Sequence, residues 1–345
     1  MDLSLLATVT GRMLGVSVTP GAVLSVSERA AVVRCHTPTG TVVVKYQTGG
    51  KEMASSERVA LRLLTRAGCL DVAQARIAGV SVVVLEDLGD VPTVATLLGG
   101  YDAAAARDGL VGMARAAGRV HQVGRTVQER FARGRAGPPR AAVEASQLRE
   151  ALRVLPTVLA PLEVEVPAGL DVLVEQAAHV LEAPGEQLGL THGDLDPKNA
   201  LCADRGVVLV DFEKAGRRHV LTDVVHWHVG PPLPAEVRAE MDAAWRGAVA
   251  PAFPSLHTEE GFQAALGPLV VHRAVLTVAG MLTTLIAHDV PLESGFGGRS
   301  VLLSVLSGLT WRAGPLGELA QRVLDVVDVA WSRPMPAYRC FQEAP

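Results

Sequence analysis

Aromatic side chains make up only 4% of the 345 residues, and cysteine occurs four times, at Cys35, Cys69, Cys202 and Cys340, with no C-x-x-C pair. That spacing excludes a zinc ribbon and a disulfide scaffold and suits a reducing cytoplasm. An excess of positive charge is also missing. The 32 Lys and Arg stand against 36 Asp and Glu, giving a net charge of -4, whereas a general nucleic-acid binder carries a strongly basic footprint. Nucleic acid is therefore not an expected partner. The first residues, MDLSLLATVTGRMLG, lack the basic start of a secretory signal, and Thr8, Thr10 and Arg12 interrupt their apolar run. The most apolar long window, residues 264–287, carries Pro268, His272 and Arg273 near its centre. The last two are costly in lipid, so a buried helix is expected and no membrane partner.

The 49% apolar and 20% charged residues are ordinary globular usage, and the length suits two packed units. Residues 30–47 read as a hairpin, AAVVRCH and TVVVKYQ about the turn Thr37-Pro38-Thr39-Gly40. The segment KEMASSERVALRLLTRAG has helical spacing and ends at Gly68, a C-cap residue. Two more strands follow, ARIAGV and SVVVLEDL, so the first ninety residues read as a small sheet with one helix. After Val91 the text turns Ala-, Leu- and Arg-rich with helical period. The stretch RTVQERFARGRAGPPR, residues 125–140, reads as an exposed loop, either a solvated connection or a contact surface for an acidic substrate or peptide. His219, His226 and His228, and Trp245, Trp311 and Trp331, read as packing residues. The expected class is α+β: a small antiparallel sheet with a helix (residues 1–90), then a larger helical unit (residues 91–345).

One further hairpin, NALCA and VVLVDFE about Asp204-Arg205-Gly206, stands among these helices. It joins THGDLDPKN (191–199) to Asp211-Phe212-Glu213, folding Asp211 back beside Asn199 and Asp194. Mg²⁺ prefers hard oxygens and is commonly held by one or two protein ligands plus phosphates and water, which makes Asn199 and Asp211 the candidate metal ligands. Asp194 is the candidate base that orients a hydroxyl and accepts its proton. Phosphoryl transfer also needs a cation on the nucleotide. Lys45 ends the strand TVVVK, and Glu57 on the next helix is its expected partner, with Glu52 the competitor.

In this order VVVK, the Glu57 helix, VVVLEDLG, THGDLDPKN and VDFE resemble the aminoglycoside phosphotransferase and choline kinase-like family, which shares the protein-kinase fold. The resemblance spans residues 29–223. It implies a bilobal kinase fold, ATP (or GTP) and Mg²⁺ as cofactors, and as acceptor a hydroxyl of a small molecule, aminoglycoside/antibiotic- or choline-like. It also implies an interlobe segment, Glu86, Asp87 and Leu88, whose backbone meets the base, and a structural acid, Asp223, that braces the catalytic loop. Three departures stand out. Asp196 and Lys198 replace the usual His and Gly, and Lys198 has two open readings, a phosphate contact or a surface pair with Asp196. No G-x-G-x-x-G precedes the first hairpin, which leaves backbone amides or the hydroxyls of Ser25 and Ser27 to cover phosphates. Glu213 stands where protein kinases carry Gly. From Glu236 onward acids and arginines alternate, so the sequence writes neither a cationic nor an anionic acceptor. Two other readings remain: a Ser/Thr kinase for a peptide, docked on the 125–140 arginines, and a pseudokinase that binds without turnover.

Overall fold

The computed structural model describes residues 2–48, 50–230, 233–291, 296–331 and 338–342. Helix α1 (Leu3–Leu14) comes first, started by the Asp2 carboxylate, which accepts from the Ser4 and Leu5 amides at 2.9 and 3.2 Å. It precedes five strands: β1 (Thr19–Val26), β2 (Ala30–Thr37), β3 (Gly40–Gln47), β4 (Ala75–Ala78) and β5 (Val82–Glu86), with helix α2 (Lys51–Arg66) between β3 and β4. The sheet is antiparallel in the order β1-β2-β3-β5-β4. The hairpin, the helix and the second strand pair stand where the sequence puts them, while α1 and β1 are additions. Asp2 and the left-handed Gly15 (φ 71°) were the available signals for α1.

Strand alternation decides what each face does. Val42 and Val44 of β3, with Val82 and Val84 of β5, face Leu6 of α1 in a small core. Their neighbours Val43, Val83 and Leu85 face the opposite way, into a core that continues through α2 into the helical part. Lys45 follows Val44 and so points to this second side.

The remainder is mainly helical: α3 (Val94–Leu98), α4 (Ala103–Gly134), α5 (Arg140–Leu159), α6 (Leu170–Glu182), α7 (Leu221–Val224), α8 (Ala235–Val249), α9 (Glu259–Ala287), α10 (Gly298–Leu309) and α11 (Pro315–Trp331). Two small sheets interrupt it, β6 (Leu188–Thr191) with β9 (Gly216–His219), and β7 (Ala200–Ala203) with β8 (Gly206–Leu209). The β7/β8 hairpin matches the sequence reading; the β6/β9 pair was not expected. Chain just before β4 and just after β5 docks onto the hairpin: Leu209 N donates to Asp71 O at 2.8 Å, and Cys202 N to Pro92 O at 2.9 Å. Gly118 of α4 lies so close to α8 that a Cβ there would meet Trp245 O at 2.8 Å.

Two expectations need correction. Residues 125–134 are not loop but the last turns of α4, because Val127, Gln128 and Phe131 recur at helical spacing and are buried. Only residues 135–139 connect to α5, and Arg135 is buried there against Glu52 (2.6 Å). Trp245 and Trp331 are core, but Trp311 is 73% exposed, placed just beyond the end of α10 with the Arg312 guanidinium over its ring at 4.8 Å. Helix α9 has the length and hydropathy to cross a membrane. It packs on α5, α6 and α10, with His272 and Arg273 near its middle.

Candidate active site

Lys45 is the centre of a buried charge cluster. Its Nζ lies 2.8 Å from Glu57 Oε2, 3.0 Å from Glu57 Oε1 and 2.5 Å from Asp211 Oδ1. Gln47, two residues on and on the same face of β3, donates to Glu57 Oε2 as well. The rival Glu52 is taken instead by Arg135 (2.6 Å) and Arg140 (3.2 Å), so Glu57 is the helix partner. Burial alone would lower the Lys45 pKa, but Glu57 and Asp211 outweigh it and the ammonium is held charged. Burial pushes the Glu57 carboxyl up to about 7, with Lys45 opposing. Burial would also raise Asp211, yet Lys45 overrides it and the pKa falls.

Asp211 leaves the β7/β8 hairpin in the left-handed region (φ 67°), a conformation Asp tolerates better than most residues. The turn aims its carboxylate at Lys45 rather than along the strand. Val210 N donates to Asn199 O at 3.0 Å, which closes the hairpin base and sets Asn199 beside Asp211. Asn199 Nδ2 donates to the Asp194 carbonyl at 2.9 Å, so Oδ1 is the end of the amide left for a ligand. Asp194 Oδ1 pairs with Lys214 at 2.9 Å. Lys214 follows Glu213 on the turn after Asp211 and was not singled out in the sequence.

The loop carrying Asp194 hangs on one buried acid. Asp223 accepts from the His192 amide at 2.7 Å, the Gly193 amide at 2.8 Å and His121 Nε2 at 2.9 Å. Trp245 Nε1 donates to His121 Nδ1 at 3.0 Å, so Nε2 carries the proton given to Asp223. Burial would raise the Asp223 pKa, but the hydrogen bond from His121 and the charges around it drive it down. His192 is a brace, as expected: Nε2 donates to Val210 O at 2.8 Å and Nδ1 accepts from Asp194 N at 3.2 Å. Arg218 completes the scaffold, donating from Nε to Thr191 Oγ1 (2.6 Å) and from Nη2 to Lys214 O (2.6 Å), with Glu144 of α5 as its ion partner. A Cβ on Gly193 (φ 83°) would meet Arg218 Nη2 at 1.9 Å, so only glycine fits. His121, Trp245 and Arg218 lie far from the loop in sequence, and no motif marks them.

The remaining candidates fall around this centre. Glu86 and Asp87 use their carboxylates structurally, Glu86 on Arg205 (2.9 Å) and Gln74 N (2.8 Å), Asp87 on Arg34 (2.7 Å) and Gly89 N (3.0 Å). The Glu86 amide donates to Gln74 O at 3.0 Å, and Leu88 packs on the core. Ser27 Oγ accepts from Arg29 N (3.2 Å) and Ala30 N (3.1 Å), binding the β1–β2 turn together, and Ser25 is exposed on β1. Lys198 lines a cavity of about 700 Å³ beside the 194–199 loop, together with Leu195, Asp196, Trp227 and Arg273. Asp196 Oδ1 caps the short turn 197–199 by accepting from Lys198 N at 3.0 Å.

A family model for the phosphotransferase enzyme family, APH, matches residues 23–257. The chain belongs to this family. A choline kinase from Cryptosporidium parvum is 11% identical, covers 95% of this chain and 97% of its own, and has a TM-score of 0.54. An amicoumacin kinase solved in complex with AMP-PNP, Ca²⁺ and Ami is 14% identical, covers 97% of this chain and 96% of its own, and has a TM-score of 0.51. A macrolide 2'-phosphotransferase from Brachybacterium faecium is 20% identical, covers 81% and 97%, with a TM-score of 0.49. No curated protein sequence matches. The first two likenesses establish the kinase-like fold expected for this phosphotransferase.

Three histidines packed in the helical part set an acid limit on the phosphotransferase. Burial lowers His219 and His226 from 6.5 to about 3, and His272 to about 4. These pKa values are depressed in the folded chain, so the associated stability is complete above pH 6.5 and is lost as pH falls toward the folded values. Each histidine removes at most about 1.4 kcal/mol per pH unit. The melting temperature is expected to decline steadily from pH 6.5 toward about 4. A melting curve independent of pH over that window would contradict these assignments.

Proposed function

We propose that the enzyme transfers the γ-phosphoryl group of Mg²⁺-ATP to a hydroxyl of a small molecule, with residues 1–90 and 91–345 as the two lobes around the nucleotide. The observation that carries this reading is Lys45 held between Glu57 and Asp211, with Asp194 and Asn199 on the same loop and a cavity beside it. Lys45 sits on the phosphates; the backbone of Glu86, Asp87 and Leu88 meets the base; Ser25 and the amides around Ser27 cover the phosphates. Asp194 orients the acceptor hydroxyl and takes its proton as the new O–P bond forms and the bond to the ADP oxygen breaks.

The donor set fits Mg²⁺. Asp211 is a charged carboxylate, Asn199 offers an amide oxygen, and both are hard ligands on one hairpin. When bound, the ion supplies charge neutralisation for the phosphates. A cytoplasmic setting suits the four free cysteines, three of them buried.

The peptide reading gains no support, and of the arginines it invoked Arg135 is held against Glu52. Separating turnover from a pseudokinase needs one measurement. Mg²⁺-ATP is expected to raise the melting temperature and to be hydrolysed above background, and Lys45→Met to lose at least most of that stabilisation. No stabilisation of the wild-type chain would remove the nucleotide reading; stabilisation without hydrolysis would favour the pseudokinase.

A further inference from the structure

The cavity beside the 194–199 loop contains a cation for which the described residues provide no hydrogen-bond or ion-pair partner. Arg273 projects from the middle of α9 into that wall and is largely buried. Its Nε is fully shielded from solvent. A buried charge without a counter-ion is costly, and most such groups are paired; here burial pulls the guanidinium pKa down, with Asp194 the one acid that opposes. Asp194 is already taken by Lys214 at 2.9 Å. The neighbouring His226 is neutral at ordinary pH, its pKa pushed by burial to about 3, and offers no negative charge.

The rest of the lining has the same bias. Among the described lining residues the charged groups besides Arg273 are Lys198, which has a contact of its own, Arg339 and Asp196. Arg339 lies over the Tyr101 ring at 4.1 Å, and Asp196 is engaged as the cap of residues 197–199. Between these charges the walls are apolar, including Leu98, Leu110, Met113, Met241 and Phe296. A polyamine or quaternary ammonium acceptor would meet like charge, whereas an anion would supply the partner Arg273 lacks.

We propose that the acceptor is an amphipathic molecule carrying an acidic group, a carboxylate, sulfate or phosphate, which Arg273 binds inside the cavity while an apolar body fills the rest and a hydroxyl faces Asp194. This rests on the reading of the cavity as the acceptor site. A charge-assisted pair of this kind commonly contributes about tenfold or more in affinity.

The test is calorimetric titration of the ADP-bound enzyme with three matched probes: ω-hydroxydecanoate, its methyl ester and ω-aminodecanol. The acid is expected to bind about tenfold more tightly than the ester, and the amine most weakly. Arg273→Met is expected to abolish the difference between acid and ester, and Arg273→Lys to retain part of it. Equal affinity of the wild-type enzyme for acid and ester, or no saturable binding of the acid, overturns the proposal, as does an Arg273→Met variant that keeps the preference. The wild-type comparison decides the matter even if a variant fails to fold. Stabilisation by Mg²⁺-ATP is measured in the same samples: its loss would sink the kinase reading itself, whereas its persistence with an indifferent cavity would sink only the anionic acceptor.

Discussion

Asp194→Asn is expected to leave nucleotide binding nearly intact and to lower turnover by about 10²–10⁴-fold, the usual worth of a positioned proton acceptor. The substitution keeps the shape of the side chain and removes its capacity to take the hydroxyl proton. The loop itself has no reason to move, since Asp194 is attached through main-chain groups: its amide donates to His192 and its carbonyl accepts from Asn199. The carboxylate does lose its ion pair with Lys214, but that pair is partly exposed and weakly stabilising. Single-turnover rates with a saturating acceptor give the check, alongside the melting shift with Mg²⁺-ATP. Turnover equal to wild type would take Asp194 out of the mechanism.

Asp223→Ala is expected to cost the fold about 3–5 kcal/mol, the penalty for removing one member of a buried charged network. Three donors, the His192 and Gly193 amides and His121 Nε2, would be left facing an apolar space. Asp223→Asn should be milder in stability, because one oxygen remains, yet should still displace the loop and lower activity. Urea unfolding reads the first effect and steady-state kinetics the second. A variant with an unmoved urea midpoint would show that these donors find other acceptors, and the brace would have to be sought elsewhere.

The parts of the site that lie in one stretch were legible. Asp194, Asn199 and Asp211 could be set beside one another because a single tight turn returns β8 along β7, and alternation along β3 gave the face of Lys45, but the meeting of Lys45 with Asp211 spans 166 residues. Glu57 against Glu52 was decided by the helix face, and the reason is visible only in space, where Arg135 and Arg140 occupy Glu52. His121 and Arg218 could not be read in advance: they act across 102 and 27 residues on Asp223 and Thr191, and an isolated His or Arg carries no local signature. The 125–134 stretch went astray because its arginines looked solvated while Val127 and Phe131, one turn apart, held it to the core. Trp311 failed for the complementary reason, since bulk alone does not tell a core residue from one stacked on a surface arginine.

The anchoring of α2 bears on how such an enzyme is turned on. In many kinases the helix that carries the lysine's partner swings outward to silence catalysis and returns when a signal arrives. Here both ends of that swing are blocked: Ser55 and Glu52 are fastened to the α4–α5 connection through Ala136, Arg135 and Arg140, and Val59 packs on Gly134. Displacing the helix would strip a desolvated ammonium of its counter-charge and tear open the shared core. An outward swing of α2 would therefore have to break the Ser55–Ala136 and Glu52–Arg135 attachments together with the Lys45–Glu57 pair.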